Sequence, residues 1–371
     1  MDFLLNGLLA FKWQQVVMII VGCILIFLAI KKELEPSVLL PLGFGAILVN
    51  IPLTGVINVD GEPGVIETLY NAGIAAPELL PLLLFIGIGA MIDFGPLLAN
   101  PKLIFVGAAA QFGIFVTIIL ASLFGFEIND AVSIGIIGAA DGPTSIFVAN
   151  KLGSNYLAAI TVAAYCYMAL VPIIQPITVK AVTTKKERKI KMEYNPASVS
   201  KTTKVMFPII VTIIAGFVAP ASLALVGFLM FGNLIRECGV LDSLSHTASN
   251  VLTNLITLLL GISISFSMLY TKFVRVETLI VIALGLFAFV FDTVGGVLFV
   301  KFLNLFTKKK MNPMVGAAGI SAFPMASRVV QKMGIAEDPT NHLLMHAASA
   351  NVAGQIASAL AGGAVLSILL A

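Results

Sequence analysis

Apolar residues in this chain come in long continuous runs, not in the one-faced or alternating patterns of a soluble domain. Runs at roughly 14–30, 37–52, 77–93, 103–125, 156–178, 205–219, 221–235, 249–269, 277–300 and 342–368 are each read as a membrane-crossing helix, because about 20 apolar residues span the hydrocarbon core. A β-barrel would show short alternating segments instead. Two further apolar stretches, 131–150 and 313–331, are interrupted by Gly and Pro. The first carries Asp141 between Ala140 and Gly142-Pro143, in G-I-I-G-A-A-D-G-P-T. A carboxylate near the middle of a bilayer costs about 2.5–3.5 kcal/mol on insertion scales, so a partner for it is expected.

Composition agrees with the pattern. The 371 residues are 59% hydrophobic and 11% charged, with a mean hydropathy of +1.04. A soluble domain is nearer half apolar and a quarter charged. The chain therefore reads as an all-α polytopic membrane protein. Cys23, Cys166 and Cys238 lie in or beside apolar runs and form neither a disulfide frame nor a metal spacing. No G-x-x-x-x-G-K-[ST] loop occurs, which excludes a nucleotide-driven pump, and no basic face interleaved with aromatics offers itself to nucleic acid. The first run has no small-residue cleavage site and is followed by Lys31 and Lys32, so it reads as an anchor and not as a signal peptide.

Charge placement sets orientation, since Lys and Arg collect on the cytoplasmic side. The loop from Lys180 to Lys204 holds eight of them, and Lys308, Lys309 and Lys310 are consecutive; both segments are expected inside. The 53–76 loop, with Asp60, Glu62 and Glu67, and the connection with Glu127 and Asp130 are acidic and expected outside. Parity then decides the broken stretches. Between Glu127 and Lys180 lie two apolar segments, yet only one net crossing is allowed. The 131–150 stretch is therefore expected to enter and leave on one face, and 313–331 likewise from the inside. Broken backbone at that depth survives only when packed in protein or lining a wet cavity.

The two broken stretches also align. At an offset of 181, P-T-S-I-F-V-A-N-K-L-G (143–153) falls on P-M-A-S-R-V-V-Q-K-M-G (324–334), and Gly138 on Gly319. Three weaker echoes keep the same order: Asn155 with Asn341, L-L-F-I-G-I-G-A ending at Ala90 with T-L-L-L-G-I-S-I ending at Ile264, and the run ending at Asn50 with that ending at Asn233. The expectation is two inverted repeats, 1–179 and 205–371, each of about five transmembrane helices plus a re-entrant broken hairpin. A basic cytoplasmic linker, 180–204, joins them and needs no role beyond fixing topology. Inverted repeats with paired broken helices mark secondary-transporter folds, with the site at the midplane.

The polar residues of the two hairpins are Asp141, Thr144, Ser145 and Asn150 in the first, and Asn312, Ser321, Ser327 and Arg328 in the second. Tyr165, Tyr167 and Asn351 follow on the next spans, and Gly316 and Gly319 allow close backbone approach. This is an oxygen-rich set suited to a hard cation, and one carboxylate balances one Na+ or H+. Arg328 needs an anion: either Asp141 in an internal pair, or an anionic substrate group. Asp292 is as readily helix-packing glue as a ligand, Asp93 can cap a helix, and His342 and His346 lack a third metal ligand.

The motifs G-A-A-D-G-P-T, A-Y-C-Y-M-A-L-V-P-I-I-Q-P, N-P-M-V-G-A-A-G-I-S-A-F-P-M-A-S-R and L-L-M-H-A-A-S-A-N-V-A-G closely resemble the β subunit of the biotin-dependent sodium-pumping decarboxylases (oxaloacetate, methylmalonyl-CoA and glutaconyl-CoA complexes), along nearly the whole chain. The resemblance implies a subunit of the bacterial cytoplasmic membrane that decarboxylates carboxybiotin and exports Na+ while a proton is consumed. It implies Na+ ligands at Asp141, Asn351, Asn312, Ser321 and Tyr167, carboxybiotin contacts at Arg328, Asn312 and Gly316, and catalytic roles for Arg328, Tyr167 and Ser321. Biotin would arrive on a partner, because no M-K-M biotinylation motif occurs here. The implied partners are carboxyltransferase and biotin-carrier subunits, a small membrane subunit and further copies of this chain. The chain is similar in length to the shorter family members, which leans toward an acyl-CoA decarboxylase complex. The competing reading is a stand-alone Na+-coupled transporter of an organic anion.

Decarboxylation leaves a ureido nitrogen that must be protonated, and a hydroxyl beside bound Na+ is acidified. On this reading Tyr167→Phe weakens Na+-dependent turnover; activity unchanged at both limiting and saturating Na+ would sink it.

Overall fold

The computed structural model describes every residue except 1–6, 8, 34, 59–61, 76, 77, 194–198 and 371. Residue 77 of the expected 77–93 span, Asp60 of the acidic loop and residues 194–198 of the linker thus lie outside the described residues. The architecture is helical. The first half contains α1 (Trp13–Lys31), α2 (Pro36–Asn50), α3 (Val65–Tyr70), α4 (Leu79–Met91), α5 (Leu103–Ala109), α6 (Phe112–Leu123), α7 (Ile128–Gly135), α8 (Gly142–Lys151) and α9 (Leu157–Val182). The second contains α10 (Lys201–Val218), α11 (Leu223–Glu237), α12 (Thr253–Ile264), α13 (Val276–Phe306), α14 (Met314–Ala317), α15 (Met325–Glu337) and α16 (Leu344–Leu369).

Seven helical rods among the described residues are long and apolar enough to cross a bilayer: α1, Leu103–Leu123, most of α9, α10, Asp242–Met268, α13 and α16. Three expected crossings fall below that length: α2 and α11 have 15 residues each, close to the runs that announced them, and α4 has 13, shorter than its 77–93 run. Large apolar side chains stay uncovered on the outer helices, such as Ile20, Ile24 and Phe27 of α1 and Ile213, Ile214 and Phe217 of α10. Contiguous apolar faces of this extent suit lipid and not water.

The interior is inverted relative to these lipid-facing rods. Residues 130–149 and 312–322, the two broken stretches, are buried throughout. The turn ending α7 and the short α14 both pack on α13, α8 packs on α16, and α15 on α9.

Small residues set the closest approaches, as is usual where lipid leaves no hydrophobic drive between helices. A Cβ on Gly89 of α4 would lie 1.9 Å from the Leu229 carbonyl oxygen of α11, and one on Gly232 of α11 would lie 2.0 Å from that of Ile86. Beside this contact Asn233 Nδ2 donates to the Ile92 carbonyl just past α4 (2.9 Å). A matching pair joins α2 to the end of the Asp242–Met268 rod. There Asn50 Nδ2 donates to the Met268 carbonyl (2.9 Å) while its Oδ1 accepts from Tyr270 N (2.9 Å).

The basic linker is more than solvated charge. Arg188 is buried and pairs through Nε with Glu337 at the end of α15 (2.6 Å). Its carbonyl accepts from Asn312 (2.8 Å) and Asn341 (3.0 Å), and Lys191 reaches Asp338 (3.2 Å). The described part of the linker is a strap clamped across both feet of the second broken stretch.

The α4–α11 contact yields a stability prediction. Gly89→Ala or Gly232→Ala drives a methyl into a carbonyl and should destabilise by about 1–3 kcal/mol, read as a lower melting temperature in detergent. Gly227→Ala, whose Cβ would meet nothing nearer than 3.9 Å, should be neutral or slightly stabilising.

Candidate functional site

The first break follows from local chemistry. After α7 a tight turn covers Ile136–Ala139, Ala140 takes a left-handed conformation (φ 52°), and Asp141 is extended. Gly142 and Pro143 then open α8, where a missing N–H costs nothing. Asp141 is the N-cap. Its Oδ1 accepts from Thr144 N (3.4 Å), and its Oδ2 accepts from Thr144 Oγ1 (2.7 Å) and from Ser358 Oγ of α16 (3.2 Å). The positive end of α8 also favours the carboxylate. These are neutral partners. Among the described residues no Lys, Arg or His forms an ion pair with this buried side chain.

The second break begins after α14, and residues 318–324 form no regular helix before α15. Its backbone meets the first break directly, with Ser321 N donating to the Ala139 carbonyl (2.9 Å). Ser321 Oγ donates to the Gly354 carbonyl (2.9 Å). Four side-chain amides hold the unwound carbonyls: Gln175 on Ala317 (2.7 Å), Gln111 on Gly319 (3.4 Å), Asn351 on Ile320 (2.6 Å) and Gln355 on Ser321. Each donates its N–H, and in all four the amide oxygen is buried without a hydrogen-bond partner. The second break is therefore flanked by unused acceptor oxygens, with Gln355 the one bonded at the residue that meets the first break.

A cavity of about 240 Å³ reaches this junction. Its walls include Glu35, Asp141, Tyr165, Asn254, Ser321 and Gln355. Tyr165 lies against the break so closely that a Cβ on Gly142 would come within 2.5 Å of its ring, and its hydroxyl is buried without a partner.

The expected residues thus divide. Asp141, Ser321 and Asn351 converge at the junction. Tyr167 does not line the cavity: its hydroxyl donates to the Ile282 carbonyl of α13. Asn312 spends Nδ2 on Arg188 and Ile190 and Oδ1 on Met314 N (2.8, 2.8 and 3.0 Å), so it fastens the strap. Gly316 is pressed on α13, where a Cβ would meet the Gly296 carbonyl at 2.1 Å. Arg328 is exposed on α15, and the internal pair with Asp141 is not formed. Asp292 caps the broken α5–α6 rod, accepting from Ile114 N (3.2 Å). Asp93 accepts from Gly95 N (2.8 Å) and pairs with Lys204 (3.2 Å).

Sequence reasoning missed Gln111, Gln175, Gln355 and Ser358. For two of these a signal was present. Asn351, Gln355 and Ser358 follow an i, i+4, i+7 spacing that puts three polar groups on one face of an apolar helix.

Comparison with known proteins decides the family. The family model for the Na+-transporting oxaloacetate decarboxylase beta subunit matches residues 14–369. The chain belongs to this family. It is 48% identical to the glutaconyl-CoA decarboxylase subunit beta of Acidaminococcus fermentans, over 98% of this chain and 96% of that one. It is 49% identical to the methylmalonyl-CoA decarboxylase subunit beta of Veillonella parvula, over 98% and 95%. Identity to the oxaloacetate decarboxylase beta chain of Klebsiella pneumoniae is 41%, over 98% and 97%. The protein is thus a membrane subunit of a sodium-translocating, biotin-dependent decarboxylase, an enzyme subunit that works within a multi-subunit complex. It is a multi-pass protein of the bacterial inner membrane. Membership sets aside the stand-alone transporter of an organic anion.

Placement of the two tyrosines changes the expected effect of their substitution. Tyr165→Phe removes the hydroxyl beside Asp141 and should raise the Na+ concentration for half-maximal turnover. Tyr167→Phe strips a partner from the Ile282 carbonyl and should lower stability by about 1 kcal/mol. Titration of turnover with Na+, alongside thermal melts of both variants, separates the two effects.

Proposed function

We propose that Na+ passes through the junction of the two breaks, with Asp141 as its charged ligand, and that this passage is coupled to decarboxylation of carboxybiotin in the adjoining cavity. One observation carries the reading: Asp141 is a buried carboxylate with only neutral partners, in a cavity it shares with Ser321 and with Gln355, whose amide oxygen has no partner. Burying an ionised carboxylate without a counter-charge is costly, and a monovalent cation removes that cost. Asn351 and Ser321 join it as neutral ligands, and Gln355 adds an amide oxygen. Na+ is cargo here, held in turn and released.

The surroundings also fit a carboxylated ureido group. Asn254 and Thr253 offer donors and acceptors on one wall of the cavity, and Tyr165 a hydroxyl on the other. Arg328, one turn along α15 from the cavity-lining Pro324, supplies a cation for a carboxylate. Carboxybiotin brings an N-carboxyl group that is lost as CO2, and the nitrogen left behind takes up one proton. Arg328 orients the carboxylate at the entrance, apolar side chains such as Leu84 and Leu260 exclude water, and Tyr165 delivers the proton. Its hydroxyl is more acidic when Na+ sits at Asp141, so proton delivery and cation entry favour each other. Tyr167 holds α9 to α13 beneath this site, and Asn312 with Gly316 seats the second break.

Two inverted repeats, 1–179 and 205–371, with re-entrant hairpins at the breaks and 180–204 as linker, are the architecture we propose for this work. The reciprocal caps support it. Asn50 and Asn233 stand at the ends of matching sequence echoes, and each caps the end of a rod from the other half. The complex would add carboxyltransferase and biotin-carrier subunits, a small membrane subunit and further copies of this chain. Higher identity to the two acyl-CoA decarboxylase subunits than to the oxaloacetate one supports an acyl-CoA substrate for the partner.

The test is CO2 release from added carboxybiotin by the purified protein, with and without Na+. Release that requires Na+ and disappears in Asp141→Asn supports the proposal. Release that is indifferent to Na+, or that survives in Asp141→Asn with its Na+ dependence intact, refutes it.

A further inference from the structure

Where the strap meets the end of α13, a cavity of about 530 Å³ takes no part in the proposed pumping. Lys186, Lys301 and Lys310 form its basic wall, and Phe302 and Leu305 its apolar one. Side-chain bonds pin both segments that carry the lysines. Lys301 Nζ pairs with Glu187 (3.0 Å) and donates to the Val182 carbonyl (3.2 Å), which ties the strap to α13. Asn304 Nδ2 donates to the Met311 carbonyl (2.7 Å) and its Oδ1 accepts from Met311 N (2.8 Å), which holds the chain at Lys310 against α13. Glu187 is engaged by Lys301, whereas Lys186 and Lys310 form no ion pair among the described residues. The cavity therefore carries two uncompensated positive charges. A second cavity, of about 480 Å³, shares Phe302 with the first and runs between α13 and α6. Leu298 and Phe302 of α13 and Phe112 and Phe115 of α6 line it, each about half-exposed on the lipid-facing side. Gly295, Leu298, Phe302 and Leu305 follow one face of α13 through both cavities. Ten residues of helix rise about 15 Å, half the thickness of the hydrocarbon core. The apolar groove thus has the reach of one leaflet, and the basic cavity lies at its end.

We infer that the two cavities are one binding site for an anionic phospholipid, with its phosphate at Lys186 and Lys310 and an acyl chain laid along α13 from Leu305 to Gly295. Charge selects this occupant. A basic pocket at the end of membrane helices attracts anionic headgroups, whereas a zwitterionic lipid brings its own cation against the two lysines. An apolar helix from another subunit would fill the groove but leave the lysines without an anion. The site also touches the supports of the second break. Gln111, on the wall of the groove, donates to the Gly319 carbonyl (3.4 Å). Lys310 stands two residues before Asn312, which fastens the strap. A bound lipid therefore braces the second break at one amide clasp and at its foot.

The test uses the isolated complex, stripped of lipid in detergent. Phosphatidylglycerol should raise its melting temperature, while phosphatidylcholine of the same chain length and free glycerol phosphate should not. The double variant Lys186→Gln/Lys310→Gln should raise the phosphatidylglycerol concentration for the half-maximal shift by on the order of tenfold or more, the scale of two lysines at an anionic headgroup. Leu298→Trp, which fills the groove and spares the lysines, should weaken the same response. Equal shifts from the two phospholipids overturn the inference, as does an unchanged phosphatidylglycerol response in Lys186→Gln/Lys310→Gln. A shift from glycerol phosphate equal to that from the lipid assigns the lysines to a soluble phosphate and overturns the lipid. A benzophenone side chain placed at position 298 should crosslink to phospholipid in intact membranes. Crosslinking to a protein subunit instead assigns the groove to that subunit and overturns the inference as well.

Discussion

A helix broken inside a membrane leaves backbone groups that only the protein itself can satisfy, and the centre of this molecule is organised by that requirement. Lipid offers no hydrogen bonds, so each orphaned carbonyl costs several kcal/mol if left bare. The solution is reciprocal. One break supplies the Ala139 carbonyl, and the other supplies Ser321 N to meet it. The remaining carbonyls of the second break are taken by Gln111, Gln175, Asn351 and Gln355. A side-chain amide can donate to such a carbonyl through its N–H and still present a separate acceptor oxygen elsewhere. Stabilising the unwound backbone therefore creates a shell of buried oxygens as its by-product. On the proposed reading, structure and ion chemistry have one cause.

The same economy explains Asp141. Gly142-Pro143 forces α8 to begin in the interior, and an interior N-terminus wants an anion. Asp141 is thus required by the break before any cation is considered. Its neutral partners leave the negative charge uncompensated, which makes the site suitable for a cation that binds and leaves. A permanent Arg or Lys partner would hold the carboxylate too well. The position of Arg328, exposed on α15 and away from Asp141, keeps the two charges available for separate tasks.

Much of this was legible in the sequence. Long apolar runs set the helices, and α9, α10, α13 and α16 lie within a few residues of where the runs placed them. Gly and Pro marked both breaks, because few other residues permit them. α2 and α11 also lie within two residues of their runs, while α4 (Leu79–Met91) is shorter than the 77–93 run that announced it. The role of Tyr167 was assigned by motif, whereas helical geometry turns Tyr165, two residues earlier, onto a different face and toward Asp141. The four amide clasps escaped notice because single Gln residues in apolar runs look like isolated polar insertions. Only the fold shows that they converge. Arg188 was read as one charge among eight, and nothing local marks it as the one that is buried.

The strap and the cavity together divide the molecule into two groups of helices. Glu35, α2, α4 and α12 line one side of the cavity, and Asp141, Tyr165, Ser321 and Gln355 line the other. On the second side the parts are bound tightly to one another. α9 packs on both α13 and α15, and the strap that continues α9 is clamped to the end of α15 through the buried Arg188–Glu337 pair. The hydrogen bond from Ser321 N to the Ala139 carbonyl (2.9 Å) joins the two breaks directly, so the first break, the second break, α9 and the strap form one tied unit, and the oxygens at the junction are held by the same contacts that hold the backbone together.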